Sequence, residues 1–449
     1  MNPKFTVQLT QHTPIIHFQH DQAGATLRAT EVKAKLDKFI FKFFDKFNVD
    51  NIFEAKLKTT FDPKNKRASL YKTKIFAPSD QDHILLATNL NREQENALKQ
   101  ARIKYLGNVP YFAMEEPIRK DLFQKTGKKV KRHPSDKERD ELKVVENYQE
   151  KIANWGIIAK VDSLITIQFF SFEPKVLELI KRAIESFFIC HNFGTRQTKG
   201  FGSFTVAAPK SNRSVKEMLK PFFQYRYMVT ESFNNANYMH RLHEQFDWIQ
   251  DDSRLIKSGR PAKVPGGYRK SQAFLYGINP KQNYRWDKRY IKRGINSNKL
   301  RVNGQVANLK VDGNNSAIYD AEGNNSWNDP PNVEYKYIRA LLGAAEQYEF
   351  QTDKGFKNKY KVTVSGGDIE RFPSPLLWKI IGDSIYLVAN PIPTEMLGKA
   401  FDFRVNLGRD STDLKSLSTP ENFDLGDFLK FVFEENQNNP EPLEDYQPF

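Results

Sequence analysis

Three histidines and an aspartate lie close together near the N-terminus: His12, His17, His20 and Asp21. Metal binding is one chemistry for them, but their spacing matches no helical H-x-x-x-H pair and no second ligand cluster is evident. We therefore expect no metal or other cofactor. A second possible chemistry is metal-independent RNA cleavage, in which a histidine such as His20 deprotonates a ribose 2′-OH and a lysine such as Lys33 or Lys35 stabilises the developing charge. In a third interpretation these side chains line an RNA-facing loop and only bind.

A glycine-rich segment, FGTRQTKGFGSF at 193–204, has the composition of a phosphate-binding loop. Glycines let the backbone approach a phosphate and permit positive φ, so that successive N–H groups can point at an anion. The segment is not a Walker motif, because no G-x-x-x-x-G-K-S/T is present. The alternative is a simple turn from helix to strand. On the first interpretation we predict RNA contacts at Arg196, Lys199, Gly200, Phe201 and Gly202.

Positive charge is concentrated in one segment of the second half. The whole chain has 69 Lys and Arg against 54 Asp and Glu, a net charge of +15. From Arg254 to Arg301 there are 14 basic residues and a single acid, Asp287. A surplus of this size favours a polyanionic partner, usually nucleic acid, because each neutralised phosphate releases condensed counterions.

Aromatic residues are interleaved with this basic region: Tyr268, Tyr276, Tyr284, Trp286 and Tyr290. Stacking faces beside a cationic track are typical of proteins that bind single-stranded RNA. The alternative is a solvated basic loop whose aromatic side chains are anchored in the core. On the first interpretation we predict phosphate contacts at Arg269, Lys270, Arg285, Arg289 and Arg293.

The order of the predicted elements indicates the fold class. In the first half, strands at 4–10 and 161–170 alternate with amphipathic helices at 29–47 and 173–190, and a closing strand follows the glycine-rich segment. With further strands and an insertion between them, this is the βαββαβ order of a ferredoxin-like domain. The second half repeats it more loosely, with helices predicted at 235–249, 333–350 and 424–433 and strands at 223–230, 359–365 and 376–389. We predict an α+β protein with two ferredoxin-like (RRM-like) domains that carry insertions.

Composition and hydropathy suggest the division of the chain and its surroundings. The predicted domains are 1–212, with an insertion at about 105–150, and 213–433, which contains the basic region 254–301. An acidic tail, 434–449, is predicted to be disordered. No stretch reaches the roughly 18–20 apolar residues of a membrane span, and the N-terminus does not resemble a signal peptide. Cys190 is the sole cysteine, which excludes an internal disulfide framework and favours a reducing cytoplasm.

Two stretches carry a family resemblance. In residues 12–39 a Thr-Pro ends the first strand and Leu-Arg-x-x-x-Val-Lys leads into the first helix, the matching residues being Thr13, Pro14, Leu27, Arg28, Val32 and Lys33. In the 193–204 loop an Arg stands three residues before Lys-Gly-Phe-Gly-Ser. Both stretches resemble the RAMP superfamily, the ferredoxin-fold subunits of class 1 CRISPR effector complexes. The chain is most similar to the large double-RAMP subunit at the guide-RNA 3′ end of type III-B (Cmr) complexes, although residues 17–20 replace an expected glycine-rich stretch.

The resemblance implies an RNA-binding subunit in antiviral defence, with guide RNA, target RNA and sister RAMP subunits as partners and no membrane. It adds Arg28 and Lys33 to the RNA-binding candidates. Processing nucleases of the superfamily place a histidine after the first strand, which keeps His20 open as a catalyst. Subunits that cut target RNA carry an aspartate in the loop that holds Asp21. Processing nucleases normally end soon after the glycine-rich loop, whereas this chain continues, so we favour binding without catalysis. A basic RNA-binding protein outside CRISPR is the remaining alternative.

Overall fold

The computed structural model describes the chain in separate stretches. The described residues are 3–16, 27–47, 58, 61–62, 70–77, 82–86, 92–100, 104–106, 157–161, 164–209, 211–261, 268–279, 282, 284–298, 300–302, 305–307, 309, 334–343, 347–352, 359–366, 372–434, 439 and 442–449. His17, His20 and Asp21 lie outside them, as does nearly all of the predicted insertion.

Helices and strands are numbered separately along the chain. The described helices are α1 (Ala29–Lys42), α2 (Arg92–Gln100), α3 (Pro174–Cys190), α4 (Val215–Leu219), α5 (Tyr238–Lys257), α6 (Gln272–Ile278), α7 (Asp287–Asn298), α8 (Ile338–Leu341) and α9 (Leu425–Phe433). The described strands are β1 (Lys4–Gln11), β2 (Lys72–Phe76), β3 (Asp82–Leu86), β4 (Lys104–Leu106), β5 (Ile157–Val161), β6 (Ile165–Phe170), β7 (Phe204–Val206), β8 (Tyr225–Val229), β9 (Arg260–Pro261), β10 (Tyr268–Arg269), β11 (Arg285–Trp286), β12 (Arg301–Val302), β13 (Gln305–Val306), β14 (Tyr335–Lys336), β15 (Gln347–Gln351), β16 (Lys359–Ser365), β17 (Leu376–Ile381), β18 (Ser384–Ala389), β19 (Ala400–Leu407), β20 (Asp410–Ser418) and β21 (Tyr446–Pro448).

The chain forms two compact units. The first consists of residues 1–249 and 377–388 with Phe449, and the second of residues 250–376 and 389–448. We predicted a boundary at 212, whereas the first unit also includes residues 213–249 and 377–388. None of the helices among the described residues combines the length and apolar composition needed to cross a bilayer.

The first unit contains a four-stranded antiparallel sheet in the order β2-β6-β1-β7. Its register pairs Lys4 of β1 with Phe170 of β6, and Phe170 in turn with Lys72 of β2. Helix α1 follows β1 and helix α3 follows β6, which is the predicted ferredoxin-like order. The strands β3, β4 and β5 follow β2 and precede β6 in sequence. They form a separate three-stranded sheet in the order β4-β3-β5. The mixed helix and sheet content confirms the α+β class.

Helices α1 and α3 form on amphipathic sequences and bury their apolar sides in one core. In α1 the buried positions recur at helical spacing, at Val32, Leu36, Phe39 and Ile40. Helix α3 starts with Pro174 at its first turn, where the missing N–H costs nothing. Its apolar side joins the same cluster, together with the inward residues of β1 and β6: Val7, Leu9, Ile165, Ile167 and Phe169.

A buried lysine side chain caps the C-terminal end of α3. Lys379 of β17 is fully buried, and its Nζ donates to the carbonyl oxygens of Phe188 (2.8 Å), His191 (2.8 Å) and Phe204 (3.2 Å). The last carbonyls of a helix lack partners within the helix, so an ammonium with three donors satisfies them efficiently. Burial lowers the pKa of Lys379 well below its ordinary value. These bonds explain why the β17–β18 hairpin belongs to the first unit.

The second unit is built around another antiparallel sheet, in the order β15-β16-β19-β20. Alternate residues of the long strand β19, Phe401, Phe403 and Val405, are buried. The rings of Phe401 and Phe403 pack edge-on against Tyr337, with centroids 5.1 Å apart in both pairs. The sheet therefore has one apolar face that supports the short helix α8 beside it.

The helix predicted at 333–350 is wrong. Its described part contains the two-residue strand β14, the single turn of α8 and the strand β15. In β15, Tyr348 and Phe350 alternate with exposed polar residues, the period-2 pattern of a strand. Pairing with β16 determines the structure here, because β16 supplies partners for all five residues of β15.

The described part of the tail is folded, contrary to the predicted disorder of 434–449. Leu443 and Tyr446 are buried, and Leu443 N–H donates to Val432 O at 2.8 Å. Tyr446 OH donates to Asp252 Oδ2 at 2.7 Å, and its ring lies 4.4 Å from that of Phe433. Leu443 and Tyr446, two apolar side chains within the acidic tail, anchor the segment.

Replacing Lys379 with Met should destabilise the first unit. The carbonyls of Phe188, His191 and Phe204 would lose their donor, and each unpaired buried carbonyl costs about 1–3 kcal/mol, partly offset by removal of a buried charge. We expect the free energy of unfolding, measured by urea denaturation, to fall by about 2 kcal/mol. Lys359→Met is the matched control, because that side chain is 39% exposed. Equal unfolding midpoints for Lys379→Met and the wild type would contradict this account.

Candidate nucleic-acid interface

The glycine-rich loop is held against the Thr-Pro motif at the end of β1. Thr13 Oγ1 donates to Gly200 O at 2.7 Å and accepts from Ser203 N–H at 2.9 Å. Gly202 N–H donates to Pro14 O at 2.9 Å. The two stretches that carry the family resemblance, 190 residues apart, are therefore parts of one structure.

The glycines of this loop are required by packing within the protein. Gly202 has φ +66°, and a Cβ there would lie 1.9 Å from Phe193 O. Gly194 has φ +80°, and a Cβ would lie 2.4 Å from Ile16 O. Both positions exclude a side chain because the loop is folded tightly on neighbouring backbone. The expected role of Gly200 and Gly202 as phosphate contacts is not supported, since both are buried.

Backbone N–H groups of the loop donate to protein acceptors. Gly194 N–H donates to the carboxylate of Glu31, at 3.0 and 3.3 Å, and Thr195 N–H donates to Ile16 O at 2.8 Å. Lys35 Nζ binds Glu31 Oε1 (2.8 Å) and Gln197 Oε1 (2.7 Å) and so joins the first turn of α1 to the loop. A carboxylate thus occupies the position that the sequence analysis assigned to a phosphate.

Two arginines flank the contact between Glu31 and Gly194. Arg28 is the residue that precedes the first turn of α1, and Arg196 adopts a left-handed backbone conformation with φ +54°. Both side chains are half-buried. The turn that gives Arg196 its left-handed conformation is closed by Lys199 N–H, which donates to Arg196 O at 2.8 Å. The two arginines thus bring positive charge close to this contact in sequence, three residues before Glu31 and two residues after Gly194.

Lys199 and Phe201 face the interior more than the sequence predicted. Lys199 is half-buried with its Nζ 4.9 Å from the centroid of the Trp378 ring, and burial lowers its pKa to about 8. Phe201 is fully buried and stacks on Phe246, with centroids 4.1 Å apart. The prediction that Phe201 contacts RNA is wrong, because its ring is part of the core.

Lys33 belongs to a closed cluster on the outer side of α1. Its Nζ lies 2.8 Å from Asp37 Oδ2 and 3.9 Å from the centroid of the Tyr71 ring. Tyr71 OH donates to Asp37 Oδ1 at 2.5 Å, and burial together with Asp37 raises the pKa of Tyr71 well above its ordinary value. The structure places Lys33 beside a carboxylate, and the histidine with which it was paired in the cleavage hypothesis lies outside the described residues.

His12, the one described member of the histidine cluster, has a structural role. Gly382 N–H donates to its Nδ1 at 3.2 Å, so the proton is on Nε2, which donates to Thr205 Oγ1 at 2.8 Å. Burial, with the positive charges of Lys379 and Arg241, lowers the pKa of His12 to about 4. Where the chain is described, no group of three or more metal-ligating side chains is arranged to hold an ion.

Asp287, the single acidic residue of the basic region 254–301, is buried. Asp287 begins α7, and its Oδ2 accepts from Nε of Arg339 at 2.6 Å and is also paired with the second guanidinium nitrogen. Both side chains are buried, and the Arg339 guanidinium lies 4.2 Å from the centroid of the Tyr348 ring. Sequence reasoning missed this pair, although a lone acid at the start of a basic helix is a signal that could have indicated it.

Two aromatic residues of the basic region, Tyr276 and Tyr284, are core residues. The buried Tyr276 packs edge-on against Phe423, Phe428 and Phe431, at centroid distances of 5.8, 5.3 and 5.4 Å. Tyr284 is also buried. For Tyr276 and Tyr284 the prediction of base stacking is wrong, and the alternative of aromatics anchored in the core holds.

The predicted phosphate contacts of the second unit are half-buried. Arg289 and Arg293 lie one turn apart on α7, whose buried positions are Asp287, Ile291 and Ile295. Arg293 Nη1 donates to Tyr335 OH at 2.9 Å. The structure brings Arg289 and Arg293 onto one helix beside Arg285 of β11, and it places Arg269 and Lys270 immediately before α6.

Acidification should destabilise the protein through His12. Its pKa is lowered from 6.5 to about 4 in the folded state, so the unfolded chain binds the additional proton between these values. We expect the free energy of unfolding to fall as the pH is lowered from 6.5 to 4, measured by urea denaturation at each pH. His12→Gln should reduce that fall. His240→Gln, at an exposed histidine beside Glu244, is the control and should not reduce it.

Comparison with known proteins identifies the family. Residues 2–131 and 125–260 match the family model of the Cmr1 N-terminal domain, and residues 268–446 match that of the Cmr1 C-terminal domain. No curated protein matches. Among solved structures, the crystal structure of Cmr1 from Pyrococcus furiosus in its apo form matches with 16% identity and a TM-score of 0.23. The match covers 55% of this chain and 60% of that chain. Because the two domain models together span nearly all of it, the chain belongs to the Cmr1 family of RAMP subunits of type III-B CRISPR complexes.

Proposed function

We propose that this chain is an RNA-binding subunit of a type III-B effector ribonucleoprotein that acts in the cytoplasm in antiviral defence. Its RNA partners are the guide RNA, at the 3′ end, and the target RNA. Membership of the Cmr1 family supports the place in the complex. The distribution of charge supports the RNA partners, and sister RAMP subunits are the protein partners that the family membership suggests.

The observation that carries the proposal is the burial of Asp287, the single acid between Arg254 and Arg301. Its carboxylate pairs with Arg339, which lies outside that segment, so the two charges compensate each other in the interior. Asp287 therefore adds no negative charge to the surface of a segment that contains 14 basic residues. Binding a polyanion there releases condensed counterions, which favours RNA.

Helix α7 is the centre of this interface. Four cations, Lys288, Arg289, Lys292 and Arg293, lie within two turns of it, while Ile291 and Ile295 attach the helix to the core. Guanidinium groups bind phosphate oxygens in a bidentate manner, which suits backbone contacts that do not depend on sequence. We assign the remaining predicted contacts, Arg269, Lys270 and Arg285, to the same interface.

Arg28 and Arg196 form a second RNA contact at the rim of the glycine-rich loop. The loop and the first turn of α1 are held together by the bonds of Glu31 and Lys35, so the two arginines are presented by a rigid support. Side chains on such a support bind with little loss of conformational entropy. The loop thus positions charge, whereas the sequence analysis expected its backbone to bind phosphate.

The proposal is binding without catalysis. His12 is neutral and uses both ring nitrogens in hydrogen bonds, and Lys33 is paired with Asp37. Neither contributes a base or a free ammonium to a reacting 2′-OH in this arrangement. Membership of the Cmr1 family also argues against the alternative of an RNA-binding protein outside CRISPR.

Replacing Arg289 and Arg293 together with Gln should weaken binding to guide RNA. Each charge lost on single-stranded RNA reduces the slope of log affinity against log salt by about 0.7, so the pair should reduce it by about 1.4. We expect at least about a tenfold loss of affinity at low salt, measured by fluorescence anisotropy. The matched control is Lys359→Gln/Arg404→Gln, which removes two cations that pair with Glu349 and Asp413 in the same unit.

Equal affinity and salt slope in the test and control variants would contradict the assignment of α7. Thermal unfolding of both variants verifies that each is folded, which matters because Arg293 also bonds to Tyr335. The same RNA, 5′-labelled and analysed on a gel, tests catalysis. Metal-independent cleavage by the wild type that His20→Ala abolishes would make the chain a processing nuclease and overturn the proposed function.

A further inference from the structure

The sheet of the first unit has an open face opposite its two helices. Side chains alternate along a strand, and residues paired in register share a face. Val7, Leu9, Ile165, Ile167 and Phe169 are buried on the helix side. The open sheet face is therefore formed by three residues from each of three strands: Lys4, Thr6 and Gln8 of β1, Thr166, Gln168 and Phe170 of β6, and Lys72, Lys74 and Phe76 of β2.

Phe76 on this face is exposed, Phe170 is half-buried, and Phe172, just beyond the end of β6, is exposed. Phe170 lies in register with Lys4 on one side and Lys72 on the other. Its ring is 4.8 Å from that of Phe172, edge to face, and Phe172 is 86% exposed. Phe76 is 43% exposed, with Lys74 Nζ 4.7 Å from its ring centroid. Large aromatic side chains in water lack the hydrophobic stabilisation that they would gain if a ligand covered them.

The charge of the open sheet face is of one sign. It carries three lysines and no acid among its nine residues; the nearest acid along the chain from its aromatic pair is Glu173. The outer face of the second unit's sheet is different. There Lys359 pairs with Glu349 at 2.9 Å and Arg404 with Asp413 at 3.9 Å. That face lacks both the surplus charge and the aromatic rings, so the combination is specific to the first unit.

We infer that the open sheet face binds single-stranded RNA by stacking bases on its phenylalanines. This inference rests on the proposed function and adds a site to it. Phe170 and Phe172 provide one stacking point. Phe76, which is opposite Thr166, provides a second about 13 Å away, four residues along the sheet. The lysines between these points lie where the phosphates of a strand across the face would run.

Single-stranded RNA fits this face better than a protein partner or a duplex. A protein that covers exposed phenylalanines needs a contiguous apolar patch, whereas Phe170 and Phe76 each have a lysine beside them here. In a duplex the bases are stacked on one another and cannot reach the rings. Four-stranded sheets of this topology use exposed aromatics of the central strands for bases in other RNA-binding domains, and β6 is a central strand here.

The test compares Phe172→Leu with Phe172→Trp. Leucine retains an apolar side chain of similar size and removes the stacking face, whereas tryptophan retains it. With an unstructured single-stranded RNA containing 2-aminopurine, we expect Phe172→Leu to weaken binding by about tenfold at an unchanged salt slope, and to relieve quenching of the fluorophore. Phe172→Trp should bind like the wild type. The exposure of Phe172 makes both substitutions compatible with folding.

The lysines are tested separately with Lys72→Gln/Lys74→Gln. This variant should reduce the salt slope by about 1.4, while Lys359→Gln/Arg404→Gln, on the charge-balanced sheet, should leave it unchanged. Blunt double-stranded RNA of the same sequence is the second probe. Its affinity should not differ between Phe172→Leu and the wild type.

Outcomes that overturn the inference differ from those that overturn the proposed function. If Phe172→Leu and Lys72→Gln/Lys74→Gln bind single-stranded RNA like the wild type while Arg289→Gln/Arg293→Gln does not, the open sheet face is not an RNA site and the function stands. If Phe172→Leu binds RNA normally but fails to co-assemble with sister subunits, the face contacts protein and the inference is wrong. If the wild type binds no RNA, both proposals fail.

Discussion

The first unit depends on one buried ammonium. Lys379 donates to carbonyls at the end of α3 and at the start of β7, on both sides of the glycine-rich loop. A lysine is tolerated in an apolar interior only when its donors are used, so these bonds determine where β17 lies against the helix end. Together with the bonds from Trp378 N–H to Thr198 O and from Ser203 Oγ to Ile380 O, they hold the loop against β17.

That constraint explains why the loop acts through its side chains. Its glycines are packed against Phe193 and Ile16, and its first N–H groups donate to Glu31 and to Ile16. A backbone group that already has a protein acceptor loses that bond if it turns to a phosphate, which offsets most of the gain. In the proposed function, the side-chain charges of Arg28 and Arg196 take the place of these backbone groups.

The two units present positive charge in different ways. In the second unit, Asp287 is removed from the surface by Arg339, and the cations of α7 remain on the flanks of a helix whose other side is in the core. In the first unit, lysines alternate with phenylalanines on a sheet that has helices on one face. Hydrophobic burial determines both arrangements, because it selects which face of each element is available.

Much of the fold could be read from periodicity. Strand β16 and helix α3 were predicted to within a residue, and the order of elements gave the ferredoxin-like class of the first unit. The prediction failed at β15, where Tyr348 and Phe350 have the spacing of a strand but follow a stretch that resembles a helix. The prediction of a disordered tail also failed. Tyr446 OH donates to Asp252 Oδ2, 194 residues earlier in the chain, and no local pattern reveals such a partner.

The sequence by itself determined which residues are apolar at which spacing, how the charge is distributed and, through its two motifs, the superfamily. Only the tertiary structure decided that Phe201 and Tyr276 are core residues, that Asp287 is neutralised and that Phe172 is exposed. Periodicity reports which face of an element is apolar, since that depends on neighbours in sequence. Whether that face meets the core or water depends on elements brought together across the whole chain, and local sequence contains no record of their positions.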